Sequence, residues 1–456
     1  MEDLLFKVLQ VPLDKGATFA DANIFINRST SVSKTNIDKT VEQNSLSGVS
    51  LRVFSNGSIG YGFTNSFEKK DLLNAISNAL KAANSQKGNI SFPERPTLKK
   101  TFTTPIKTDP DSVSVEEKVG FVNELFSAAK NKKILSIRAG YSDGTTKHVY
   151  ADSSGSYMEQ SLKRARLLLF TVAKKGKKMV DFYDSLGGAV GYEVTKNAIG
   201  EFSDNIVKKT IEQLSSGSSP KGNYPVVLDG TFAGVLAHES IGHPSEADFV
   251  INGRSFLAGR LGEKIASPFV SITDTPTIPS SGFYFFDHDG TLAKRTSLVK
   301  DGVLSSHLHS VETALRFGTE STGNGRMQGF GKKVFVRMSN IFFEPGEMKT
   351  EELFEGIKKG VYIIKNICGM EDPAGGGFYV SGAMGYWIEN GELTRPIRGE
   401  IVLSGSQVLE ILKLVSGVSN DFATSPGACG KGHEDWVPSG TGGPHMRIDN
   451  ILVGGD

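Results

Sequence analysis

Ser215-Ser216-Gly217-Ser218-Ser219-Pro220-Lys221-Gly222 divides this 456-residue chain into two parts of unlike composition. Small, turn-favouring residues of this kind form linkers and exposed loops. Upstream, residues 1–220 hold 30 Lys+Arg, 23 Asp+Glu and 16 glycines. Downstream, residues 221–456 hold 21, 27 and 36. The two parts therefore carry opposite net charge, +7 and −6. That balance suits docking of one part on the other, and suits scattered surface charge equally well.

Outward from this stretch, the upstream part alternates strands and helices. Asn23–Asn27 and Val49–Phe54 read as short strands rich in β-branched and aromatic residues. Asp71–Asn84 reads as an amphipathic helix capped by Asp71, with Leu72, Ala75, Ile76, Leu80 and Ala83 on one face. Pro93–Pro110 reads as a connector. Ser114–Lys130 and Asn197–Leu214 read as further helices, and Lys133–Ala139, Lys147–Ala151 and Arg166–Val172 as strands. The order suggests two similar α+β halves. Downstream, a helix over Thr231–His243, with Asp229 or Thr231 as cap, precedes many extended segments. Among them are Val270–Thr273, Val334–Phe343, Gly360–Ile367, Phe378–Glu389 and Glu400–Leu403. Turn signals such as Asp301-Gly302 and Asn390-Gly391 separate them. The expected class is α+β, with an N-terminal α+β domain (1–220) followed by a large, mainly antiparallel β domain (221–456) that carries the helix.

Whole-chain averages exclude several functions. A net charge of +1 gives no electrostatic case for nucleic acid or an acidic membrane. The longest apolar run, Leu167–Ala173, is far short of the ~20 residues that span a bilayer. MEDLLFKVLQ starts acidic and does not read as a signal peptide. Two cysteines exclude a disulfide scaffold and fit a reducing cytoplasm.

The helix Thr231–His243 ends in His238-Glu239-Ser240-Ile241-Gly242-His243. Zinc peptidases of the H-E-x-x-H type place two histidines at i and i+4 on one helix face. Here one residue is added, which in a regular helix sets the histidines about 140° apart. A π-bulge would absorb the extra residue, and Gly242 at the helix end makes that distortion less costly. Neutral imidazoles are good zinc ligands, and a neighbouring carboxylate can take a proton from a metal-activated water. A third ligand is needed. Candidates are His288, His307, His309, His433, His445, Glu246, Asp248 and Cys429. Cys429 sits in the loop Pro426–Gly432, where glycine amides and Lys431 could stabilise a thiolate. Cys368, ending an apolar stretch, reads as a small core residue.

His238–His243 followed by Pro244-Ser245-Glu246-Ala247-Asp248-Phe249 resembles the TldD branch of the TldD/PmbA family of metalloproteases. Gly318–Met327, Gly377–Glu392, Gly427-Ala428-Cys429-Gly430-Lys431 and the closing Met446–Gly455 resemble it as well. The resemblance implies a zinc-dependent peptidase acting on unfolded proteins and peptides, in a dimer with a PmbA/TldE-type partner. It implies zinc on His238, His243 and Cys429, with Glu239 as general base. Glu246 and Asp248 are then expected to orient the ligand histidines, and His433, His445 or backbone amides of the Gly-rich loops to stabilise an oxyanion. Two rivals remain at this stage. A cysteine peptidase would use Cys429 with His433 or His445. A non-catalytic subunit would hold a structural zinc and bind peptides or a paralogue. Neither Gly323–Lys333 nor Gly427–Gly432 fits a phosphate-binding loop.

Overall fold

The computed structural model describes residues 1–92, 95–431 and 434–455. The first part opens on α1 (Glu2–Leu13), a helix the sequence reading leaves unassigned. It continues through β1 (Phe19–Lys34), β2 (Lys39–Ser55), β3 (Ser58–Thr64), α2 (Lys69–Asn84), β4 (Lys99–Thr103) and α3 (Val115–Ala128). Then come β5 (Ile134–Asp152), β6 (Tyr157–Lys175), β7 (Lys178–Gly188), α4 (Tyr192–Asn197) and α5 (Ile199–Glu212). The seven strands form one sheet in the order β3-β2-β1-β5-β6-β4, with β7 also on β6. The two expected halves are thus fused by the antiparallel β1–β5 ladder, which runs from Asp21↔Asp152 to Lys34↔Ala139. Leu5 and Leu9 of α1 and Leu72 and Ile76 of α2 pack on Leu51 and Val53. Phe121, Leu125 and Ile206 of α3 and α5 pack on Ile137, Leu167 and Leu169.

The strands run much longer than the sequence reading has them. Lys133–Ala139 and Lys147–Ala151 are ends of the single strand β5. The polar stretch between them, Gly140–Thr146, looks like a turn but pairs with β1 on one side and β6 on the other. Backbone hydrogen bonds to two neighbours override its weak β propensity. The cap of α2 also differs: Glu68 holds the N-cap position, and Asp71 lies in the first turn. Ser114 caps α3, its hydroxyl accepting from Glu117 N–H.

The second part begins with β8 (Gly222–Leu228), α6 (Gly230–Ala237), α7 (Ala247–Ile251), β9 (Ile272–Asp274), β10 (Thr296–Lys300) and β11 (Val303–Leu304). It continues with α8 (Val311–Phe317), β12 (Gly325–Arg326), β13 (Phe335–Val336), β14 (Asn340–Phe343), β15 (Lys359–Glu371), β16 (Phe378–Glu389) and β17 (Glu392–Gly405). It closes with α9 (Val408–Leu412), β18 (Val415–Val418), β19 (Ala423–Lys431), β20 (Glu434–Gly443) and β21 (Met446–Gly454). One sheet has the order β17-β16-β15-β8-β21-β18, and β17 also pairs with β21, so five strands close a ring. The other has the order β11-β10-β9-β14-β20-β19. Most ladders are antiparallel; β8–β15 and β14–β20 are parallel. Val334–Phe343, expected as one strand, is two short ones separated by Arg337, Met338 and Ser339, with the Arg337 side chain buried.

Helix α6 packs against strands of both sheets, with Phe232, Ala233 and Leu236 fully buried. It comes so close to β20 that a Cβ on Gly234 would lie 2.2 Å from the Gly442 nitrogen. The two parts are joined by buried polar contacts. Arg52 of β2 bridges Asp21 and Asp289, both at 2.6 Å, and Lys365 pairs with Asp184 at 2.6 Å. Among the described residues, no helix is long and apolar enough to cross a membrane.

Candidate metal centre

Asp229 anchors the site from below. Its Oδ1 accepts from Phe232 N–H at 2.7 Å and caps α6, while Oδ2 accepts from Lys365 N–H of β15 at 2.9 Å. After Ala237 the helix widens. His243 N–H donates to His238 O, an i→i+5 bond that closes one π turn over His238–Gly242. The added residue is taken up there, and the two imidazoles come together with ring centroids 4.9 Å apart and planes at 87°. Gly242 is required at this turn: a Cβ would sit 2.1 Å from Met338 Sδ. Pro244 lies in the short turn that follows.

Cys429 arrives from β19, 5% exposed, with Sγ 3.3 Å from His243 Nε2. One donor atom from each of His238, His243 and Cys429 falls within 4.8 Å of the others, and all three residues are buried. The Cys429 carbonyl accepts from the buried Arg337 guanidinium, which fixes the strand beside the histidines. A second set, Glu239, His243 and Glu371, meets the same spacing and shares His243. Glu371 ends β15. Two residues earlier the strand passes so close to Glu239 that a Cβ on Gly369 would lie 2.5 Å from its Oε1.

The electrostatics follow from burial and charge. Burial opposes ionisation of Cys429, but His243 and His238 outweigh it and hold the thiol well below its ordinary value. Burial likewise disfavours the His243 cation, and Cys429 and Glu246 outweigh it, raising His243. Glu239 is raised, first by burial and then by its hydrogen bond with Glu371. Glu246 is fully buried, yet Lys431 and then His243 bring it down to about 2. Its Oε2 lies 3.2 Å from His243 Nδ1 and 2.9 Å from Lys431 Nζ. Lys431 also reaches Asp248 Oδ1 at 2.6 Å. The lysine therefore meets carboxylates, where the sequence reading offers it to the thiolate.

The other expected residues lie apart. His445 places Nδ1 on Asp421 and Nε2 on the Tyr362 hydroxyl at 2.9 Å. His288 accepts from Met327 N–H against the first part, and His307 and His309 lie tilted and edge-on to Phe317. His433 lies outside the described residues. Cys368 is exposed, with Sγ 3.4 Å from Ser381 Oγ, so it is not the core residue expected. Glu371 and Arg337 escape the sequence reading: neither lies in a local motif, and only the folding of β15 and the β13–β14 segment brings them here.

The donor set suits zinc. Zn–N near 2.0–2.1 Å and Zn–S near 2.3 Å in a tetrahedron set ligand atoms roughly 3.5 Å apart, close to the 3.3 Å between Cys429 Sγ and His243 Nε2. Thiolate and imidazole disfavour the hard cations that take oxygen ligands.

Comparison with known proteins points the same way. Three family models match in order: PmbA/TldA metallopeptidase domain 1 over residues 24–83, the central domain over 108–216 and the C-terminal domain over 221–455. A protein of Methanothermobacter thermautotrophicus named metalloprotease is 36% identical over 456 residues, covering 99% of each chain. A zinc metalloprotease TldD homolog of Saccharolobus solfataricus is 29% identical, covering 99% of this chain and 100% of its own. The crystal structure of TldE from Thermococcus kodakarensis superposes with a TM-score of 0.77 at 19% identity, covering 99% of this chain and 100% of that one.

Proposed function

The chain belongs to the PmbA/TldA metallopeptidase family, and on that premise we propose that it is a zinc-dependent peptidase of the H-E-x-x-x-H type, hydrolysing peptide bonds in unfolded proteins or peptides. The carrying observation is the meeting of His238, His243 and Cys429 beside Glu239 in one buried cluster. Those three side chains would hold zinc, which supplies Lewis acidity and a water of lowered pKa. Glu239 would act as general base toward the attacking water and then as general acid toward the departing amine nitrogen. Glu246 accepts from His243 Nδ1–H, which leaves Nε2 free to ligate. Beyond Ile363, β15 has no ladder with β8, while β16 still pairs on its other edge. An extended substrate laid along the Cys368–Glu371 edge would pass Glu239 at Gly369, held by its backbone and not by its sequence.

Residues 1–220 and 221–456 form the two domains in this reading, and the family model starting at residue 221 supports that division. In this reading the chain works in a dimer with a PmbA/TldE-type paralogue, a protein of the same fold as TldE. The two-cysteine composition supports a cytoplasmic protein. The test is metal content and peptidase activity on unfolded polypeptides, with the paralogue present. Zinc in the wild type, and hydrolysis abolished by Glu239→Gln with zinc retained, are expected. A chain that takes up no zinc after supplementation overturns the reading. One observation favours the second reading, a non-catalytic zinc subunit: Glu371 Oε1 lies 3.9 Å from His243 Nε2, a further carboxylate near the centre, and closed structural sites have four protein ligands. Zinc without hydrolysis, paralogue included, would select it.

A further inference from the structure

Lys431 is 6% exposed, and its ammonium is surrounded. Glu246 Oε2 lies at 2.9 Å, Asp248 Oδ1 at 2.6 Å, the Val336 carbonyl oxygen at 3.0 Å and the Phe249 ring centroid at 4.2 Å. An ammonium taken this far from water is costly unless it is paired. Here the pairing has a direction. Glu246 Oε2 is shared between Lys431 and His243 Nδ1, whereas Oε1 has no hydrogen-bond partner among the described residues. The carboxylate is fully buried. Without the lysine, one imidazole N–H would be its sole polar contact, and nothing would decide which oxygen faces that N–H.

We infer that Lys431 is a positioning residue for the metal centre: by clamping Glu246 Oε2 against His243 Nδ1, it fixes the tautomer and ring orientation that point Nε2 toward Cys429. The strand β19 then does two things within three residues. Cys429 stands 3.3 Å from one nitrogen of His243, and Lys431 sets the carboxylate 3.2 Å from the other. His238 has no such clamp, since its Nδ1 is buried without a partner among the described residues. Order at the centre is therefore concentrated on His243. This inference rests on the zinc site proposed above.

The experiment measures zinc affinity by competition with a chromogenic chelator at one neutral pH, and thermal unfolding of the zinc-free forms. The variants are Lys431→Met, Glu246→Gln, Asp248→Asn and the double variant Lys431→Met/Glu246→Gln. Lys431→Met is expected to weaken zinc binding by about 10–100-fold, the usual cost of losing an outer partner of a ligand histidine. The double variant is expected to bind no more weakly than Glu246→Gln alone, because the lysine acts through that carboxylate. Asp248→Asn, which weakens the hold on the lysine but leaves it beside Glu246, is expected to lose less zinc affinity than Lys431→Met. Wild-type affinity in Lys431→Met, additive loss in the double variant, or equal loss in Asp248→Asn would each overturn the inference. Should Lys431→Met fail to fold, Lys431→Gln takes its place with the same outcomes. A wild-type chain that binds no zinc defeats the underlying site first, and is read separately.

Discussion

Cys429 Sγ and His243 Nε2 lie 3.3 Å apart across 186 residues of chain. Neither side chain carries its charge unaided in a buried site; each stabilises the ionised form of the other. The thiolate is thus favoured before a metal arrives, whereas His243 would have to give up its Nε2 proton to ligate one. Cys429→Ser removes the ionisable sulfur and leaves a neutral hydroxyl. Zinc affinity should fall by more than the ~10–100-fold that loss of an outer partner costs, as measured by chelator competition. Undiminished zinc would remove Cys429 from the ligand set.

Glu239→Gln keeps the volume of the side chain and removes its basicity. Turnover should drop by roughly 10²–10⁴-fold, the range for general acid–base catalysis, with zinc content unchanged. Loss of zinc in this variant would make Glu239 a ligand, not a base.

Gly369→Ala tests the close pass of β15. The new methyl would fall 2.5 Å from Glu239 Oε1, and the flexible carboxylate is what yields. Turnover should fall by up to ~10²-fold for a displacement near 1 Å, while the unfolding temperature barely moves. A variant as active as the wild type would place the reacting groups elsewhere.

Arg52→Met tests the joint between the two parts. Arg52 is 3% exposed, and it leaves Asp21 and Asp289, each at most 1% exposed, uncompensated when removed. Breaking a buried ion pair from one side costs about 3–5 kcal/mol. Urea unfolding should show a loss of that order; a loss below ~1 kcal/mol would mean that the joint carries little stability.

His148 gives a pH dependence. It is buried between Asn23 and Gln160 and held to about 3 by desolvation alone. Above the unfolded value near 6.5 both states are neutral and its full contribution is present. As pH falls, the unfolded chain takes up the proton first, and up to about 5 kcal/mol is lost by the folded value. Asp21 and Asp274, raised to about 6 chiefly by burial, act with the opposite sign over that window. The difference between variants isolates the histidine: His148→Gln should lose stability less steeply than the wild type on acidification. Parallel slopes would mean that His148 is protonated in the fold.

Much of this protein is legible in its residues because the relevant physics is local. Ser114 announces the start of α3 by its hydroxyl, and Phe378–Glu389 shows its extended form by its side chains. Asn390-Gly391 and Asp301-Gly302 mark hairpins because the residues concerned tolerate positive φ, and all four adopt it. The spacing of His238 and His243 demands a π turn if the rings are to meet, and that turn is present. Other features resist local reading. The middle of β5 has the composition of a turn, and neighbouring strands on both sides hold it extended.

By itself, the sequence determined the α+β class and the helix that ends in two histidines, since both rest on periodicity, capping or short spacing, and its motifs carried the resemblance to a family. The tertiary structure alone decided that Lys431 serves Glu246 and not the thiolate, and that Glu371 and Arg337 stand at the centre. The reason is physical. Ion pairs and ligand sets are chosen by distance and burial, and residues far apart in a chain acquire both only when its strands close around them.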